Sequence, residues 1–136
     1  MKYLRNSLII ISLSLLSTYV KAQMDTLGYL KQFEVNKAKY VGKPLSVLLD
    51  DMTAIQPKLV FSHSAFTNKH FRIFSDFKFD AKNAYSINSI SMLVYWQTPI
   101  YSEEANQYRD RNKSLFTPDE RSFYGNKIIK DIKVNR

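Results

Sequence analysis

Apolar residues recur along this chain with two spacings, and the spacing changes at Pro57. Upstream it is helical. Across residues 25–40, Leu27, Leu30, Phe33 and Tyr40 fall on one stripe with Lys31 and Lys37 off it, and Val35 breaks the pattern. Gly42 suits the end of that helix, and Pro44 suits the first turn of another. Leu45, Leu48, Leu49 and Met52 then stand at i, i+3, i+4 and i+7, the clearest helical stripe in the chain, and Pro57 stops it.

Downstream the spacing is two. Residues 58–62 form a short apolar run. Phe71, Ile73, Phe77 and Phe79 alternate with Arg72, Asp76 and Lys78, with Phe74 the exception, which describes a half-buried antiparallel strand. Residues 81–84 read as its turn. Residues 87–96 are apolar on both faces, with Ile90, Met92, Val94 and Trp96 on one and Ile87, Leu93 and Tyr95 on the other. That pattern predicts a central strand ended by Pro99. Ser102-Glu103-Glu104 reads as a helix start with Ser as cap. Thr117-Pro118-Asp119-Glu120 has capping-box spacing with Pro at the first helical position, and Gly125 would close that helix. Residues 127–134 read as a terminal edge strand guarded by lysines. The order predicts an α+β fold: a small antiparallel sheet of about four strands with helices packed on one face.

The first 22 residues fall outside this pattern. Lys2 and Arg5 precede an apolar stretch at residues 8–20, and the segment closes on Val20-Lys21-Ala22, with modest side chains at −3 and −1 of a cleavage point. Residues 1–22 thus read as a secretory signal peptide, and 23–136 as one globular α+β domain. The apolar stretch is shorter than the ~20 residues a bilayer-spanning helix needs, so no permanent membrane span is expected in the mature chain. The expected destination is a periplasm or the extracellular space.

Composition narrows the function classes. The chain has no cysteine, so neither disulfides nor a lipidated Cys can occur. Its three glycines stand apart, which leaves no phosphate-cradling loop. The full chain carries +8, but Lys2, Arg5 and Lys21 lie in the signal, so the mature chain carries +5. Most of that excess lies beyond Ala105, where eight basic residues meet four acids. Arg109 and Lys113, four apart, can share a helix face, and Lys127 and Lys133 share a strand face. With Arg121 they form the candidate site for an anionic partner. Export argues against nucleic acid and points to an envelope protein or an anionic glycan or lipid surface.

Catalytic signatures are sparse. His63 and His70 are the only histidines, with no HExxH or Cys-pair spacing, so no metal site and no cofactor is expected. A strand would send Ser62, His63 and Ser64 to alternating faces, so their adjacency makes no nucleophile–base pair. The acid pairs Glu103-Glu104 and Asp119-Glu120 suit helix starts, whereas Asp50-Asp51 sits at a helix end, against the dipole. The expected function is therefore non-enzymatic binding to a protein or anionic surface. One alternative is a small hydrolase or metal-dependent enzyme using His63 and His70 with a carboxylate such as Asp76. The other is a structural or inhibitor subunit acting by strand addition along residues 127–134.

Overall fold

A computed structural model describes residues 25–136. The proposed signal peptide at 1–22 and the cleavage point before Gln23 lie outside the described residues. The elements are α1 (Thr26–Val35), a 3-10 turn (Lys37–Lys39), α2 (Leu45–Asp51), β1 (Leu59–Ala65), β2 (Asn68–Lys78), β3 (Ser91–Tyr101), α3 (Ser102–Asn112), α4 (Pro118–Gly125) and β4 (Ile129–Asn135). The strands form one antiparallel sheet in the order β1-β2-β3-β4. This is the α+β architecture that the periodicity predicts.

The register divides the sheet into two faces. Val60, Phe77, Met92 and Val134 form one cross-strand row, and Ser62, Ser75, Val94 and Ile132 form the next. Both rows face the helices and share a core with Leu30, Phe33, Leu45, Leu48, Leu49 and Met52. The intervening rows, Phe61-Asp76-Leu93-Lys133 and His63-Phe74-Tyr95-Asp131, point the other way.

The helix-facing side hides a polar cluster. Ser62 Oγ lies 2.7 Å from Ser75 Oγ and 2.8 Å from the Tyr124 hydroxyl, and Trp96 Nε1 donates to Ser75 Oγ at 3.0 Å. Each of these polar groups, buried or part-buried, thus has a partner.

Several boundaries differ from the sequence reading. The first helix ends at Val35, whose side chain is 81% exposed, and the turn of Lys37–Lys39 follows. Its N-cap is Asp25, which accepts from the Gly28 amide at 3.0 Å. Gly42 takes φ +80, a backbone state that glycine adopts freely. The second helix ends at Asp51, well before Pro57. The hairpin between β1 and β2 is tight, so His63 and His70 both lie in strands.

The third strand starts at Ser91, leaving Ile87 94% exposed in the preceding loop, and runs through Pro99 to Tyr101. Proline is tolerated there because the β2–β3 register jumps between Phe74↔Tyr95 and Arg72↔Ile100, which leaves Pro99 without a ladder partner. Ser102 is not a helix cap. β3 runs straight into α3, Tyr101 takes the cap position, and the Ser102 hydroxyl donates to the Lys69 carbonyl at 2.6 Å. The capping box at Thr117 forms as the spacing predicts.

Candidate functional site

Most of the five cations named from the sequence have partners within the fold. Arg109 Nε donates to Asp110 Oδ1 at 2.8 Å, and that contact holds the Asp110 carboxyl below the usual range. Lys113 caps α3 in the left-handed conformation, so it does not continue the helix face of Arg109. Arg121 donates to Gln56 Oε1 at 2.7 Å and to Asp50 Oδ1 at 3.0 Å. Lys127 Nζ sits 4.6 Å from the Phe123 ring centre and 3.9 Å from Glu104 Oε2. Lys133 Nζ sits 5.4 Å from the ring centre of Tyr95, on the face turned away from the helices.

The acid pair that opposes the α2 dipole finds its counter-charges inside the fold. Asp50 takes Arg121, while Asp51 takes Lys39 Nζ at 2.7 Å and the Tyr40 hydroxyl at 2.9 Å. These two donors, Lys39 first, lower the Asp51 pKa. Burial, with the Asp51 contact second, raises that of Tyr40.

The two histidines have different fates. His70 is exposed near the β1–β2 turn, its backbone amide donating to Asn68 Oδ1 at 3.0 Å. His63 stands on the open face, stacked on Phe74 with 4.9 Å between ring centres and 14° between planes. Phe74 continues the stack onto Tyr95 at 5.2 Å, and Lys133 closes it. Desolvation against these neighbours is the main cause that lowers the His63 pKa, and the positive charges of Arg72 and Lys78 act in the same direction while Asp76 opposes them.

Beside that stack lies a cleft of about 290 Å³ lined by Phe61, His63, Asp76, Lys78, Tyr85 and Ser86, with Ala84 behind them. The strands give the floor and the loop between β2 and β3 gives the wall. Tyr85 packs edge-on against Phe61 at 5.6 Å and is 83% exposed.

The charged groups of the cleft are fixed. The Asp76 and Lys78 side chains are only 14% and 12% exposed and form an ion pair at 3.2 Å. Lys78 Nζ also donates to Ser89 Oγ at 2.8 Å and to Ser91 Oγ. Asp76 Oδ1 is buried without a hydrogen-bond partner. A carboxylate oxygen left in that state costs on the order of 1–3 kcal/mol.

Of the residues singled out from sequence, the cleft therefore unites His63 with Asp76 and leaves His70 outside. Phe61, Lys78 and Tyr85 complete it; the alternation puts Lys78 on the strand face of Asp76, whereas no spacing rule picks out Tyr85, because the loop that carries it has no periodicity. Among the described residues no group of three or more His, Cys, Asp or Glu side chains converges to hold a metal ion. Comparison with family models, with curated proteins and with solved structures finds no match.

Proposed function

We propose that this chain is an exported, non-enzymatic binding protein of the cell envelope or extracellular space, and that it holds its ligand in the cleft on the open face of the sheet. The observation that carries this reading is the convergence of Phe61, His63, Asp76, Lys78 and Tyr85 on a sheet face that the core leaves free. An apolar wall with a few fixed polar groups is the usual make-up of a ligand site.

Export rests on the basic start, the apolar stretch and the Val20-Lys21-Ala22 ending of the first 22 residues. Among the described residues no helix is long and apolar enough to cross a membrane.

Binding is favoured over hydrolysis by how the cleft groups are engaged. Acyl transfer needs a base within hydrogen-bond reach of a nucleophile, with a third group orienting the base. Here Asp76 is engaged with Lys78, and His63 with the ring of Phe74. Ser62, beside His63 in the chain, points to the opposite face and is held by Ser75 and Tyr124.

Strand addition finds less edge than the sequence offers. The Gly42 amide donates to Ile129 O at 2.8 Å, Ile129 N donates to Lys43 O at 3.0 Å, and Leu45 N donates to Lys127 O at 2.9 Å. The start of β4 is thus already paired.

A photo-crosslinking side chain at position 85, compared with one at Ser122 on the helix side, tests the reading in cells that export the protein. Position 85 is expected to capture envelope or secreted material and position 122 is not. Capture from 122 alone, or from neither, would overturn it.

A further inference from the structure

We infer that a single ordered water is bound between β1, α3 and α4, where it ends a one-way chain of hydrogen bonds that starts at Trp96 and passes the last hydrogen to Glu120. The site lies on the helix side of the sheet and does not depend on the binding reading above.

The first observation is a count of hydrogens. Three hydroxyls meet in the polar cluster: those of Ser75, Ser62 and Tyr124. They bring three hydroxyl hydrogens but make only two contacts with one another, Ser62 with Ser75 and Ser62 with Tyr124. The Trp96 N–H takes a lone pair on Ser75 and accepts nothing in return. One hydroxyl hydrogen is therefore left over among the described residues. Ser75 is wholly buried and has hydrogen-bond contacts only with Trp96 and Ser62, so its hydrogen goes to Ser62. Ser62 then either donates to Tyr124 or accepts from it. The spare hydrogen sits on Tyr124 in the first case and on Ser62 in the second.

Both of those residues line one small crevice, together with Asn106, Arg109, Ser114 and Glu120. Further polar groups with capacity to spare meet there. Asn106 gives its Oδ1 to Arg72, which leaves its Nδ2 as a donor. Glu120 Oε1 accepts from Asn112 alone and keeps a second lone pair. Ser114 is 7% exposed, and its hydroxyl has no partner among the described residues. Two donors, the spare hydroxyl hydrogen and the Asn106 amide, thus face two acceptors, Glu120 Oε1 and Ser114 Oγ. That set is the complement of one water, which accepts twice and donates twice.

Size and charge select the same occupant. The crevice offers about 20 Å³ to a water-sized sphere, and one water needs at least about 10–15 Å³ on that measure. Glu120 and Arg109 line it with opposite signs, so an anion would face the carboxylate and a cation the guanidinium. A small neutral molecule meets neither cost. The water joins Asn106 of α3 to Glu120 of α4 and extends the chain that begins on β3, in which each hydrogen bond polarises the next.

Oxygen-17 relaxation dispersion of the solvent tests this on the purified protein, because it counts whole water molecules held by the fold and ignores exchanging hydroxyl hydrogens. Ala105 lines the crevice from α3 and is 3% exposed, so Ala105→Val fills it. The wild type should hold about one long-lived water more than Ala105→Val, and Tyr85→Ala on the open face should match the wild type. Equal amplitudes in the wild type and Ala105→Val, or an equal loss in Tyr85→Ala, would overturn the inference. Fluorescence of Trp96, the only tryptophan and a core residue, reports whether each variant is folded. Where Ala105→Val does not fold, a high-resolution crystal structure of the wild type decides. It should show a water within hydrogen-bond distance of at least three of Tyr124 Oη, Ser62 Oγ, Asn106 Nδ2, Ser114 Oγ and Glu120 Oε1. An ion in that place, or solvent that reaches fewer than three of them, would equally sink it.

Discussion

His63 ties the chemistry of the open face to the stability of the whole fold. Desolvation holds its pKa below the ordinary ~6.5. A base with a lowered folded pKa is protonated first in the unfolded chain. The stability it contributes is therefore complete above about pH 6.5 and is lost as the pH falls through the folded value. Urea midpoints followed by Trp96 fluorescence should drop between pH 7.5 and 5.5, and His63→Phe, which keeps a ring against Phe74, should flatten that slope. An equally steep slope in the variant would show that His63 is not its source. Other residues resist sequence reasoning for a common reason. Asp50 and Asp51 look misplaced at the end of a helix until Arg121, 71 residues on, and Lys39 are seen beside them. Local spacing carries the helix dipole but not a counter-charge delivered by tertiary packing. Asp76 is similar: its place on the strand is legible from the alternation, whereas its unpartnered oxygen depends on where Lys78 turns.

Elements whose ends are set by local chemistry are the ones that the sequence defines well. The Leu45-Leu48-Leu49-Met52 stripe and the Thr117-Pro118-Asp119-Glu120 start appear where the spacing puts them. Ends set by neighbours do not. Pro99 stays inside β3 because the register jump excuses it from pairing, and Ser102 gives up its cap role because β3 leads directly into α3. The capping box of α4 also does more than start a helix. Glu120 is 1% exposed and accepts from Asn112 Nδ2 at 2.8 Å, from the Thr117 amide at 3.1 Å and from the Thr117 hydroxyl. Through Asn112 it joins the end of α3 to the start of α4. Glu120→Ala removes the acceptor of part-buried donors at the ends of both helices, and a loss of about 1–3 kcal/mol in urea unfolding is expected. A loss within about 0.5 kcal/mol, the range of ordinary surface changes, would mean the helices hold their angle without it.

For the whole molecule, an open four-stranded sheet poses the problem of its two edges. On β1, Val60 N donates to Ser114 O and Phe116 N to Lys58 O, both at 2.9 Å, so the segment between α3 and α4 covers the start of that strand. Register shifts around His63, Ser64 and Ala65 disrupt the rest of it. On β4 the segment between α1 and α2 pairs with the first residues, and the next guard is Asp131. Its carboxylate accepts from Ile132 N at 2.9 Å and from Lys37 Nζ at 2.6 Å, which together lower its pKa, Lys37 being the larger cause. The alternation in sequence identifies β4 as an edge and its lysines as protection. It does not reveal that an aspartate closes the amide of its own neighbour, because that depends on Lys37 from the far end of the chain. Asp131→Val should release both contacts and place a β-branched apolar residue on the exposed edge, the combination that favours pairing with another chain. Sedimentation velocity at neutral pH is expected to show a larger self-associated fraction for Asp131→Val than for the wild type, growing with protein concentration. Asp131→Asn retains a side-chain acceptor for the Ile132 amide and should stay close to the wild type. Equal association of wild type and Asp131→Val would place the protection of this edge in Lys130, Lys133 and the Gly42–Leu45 pairing instead.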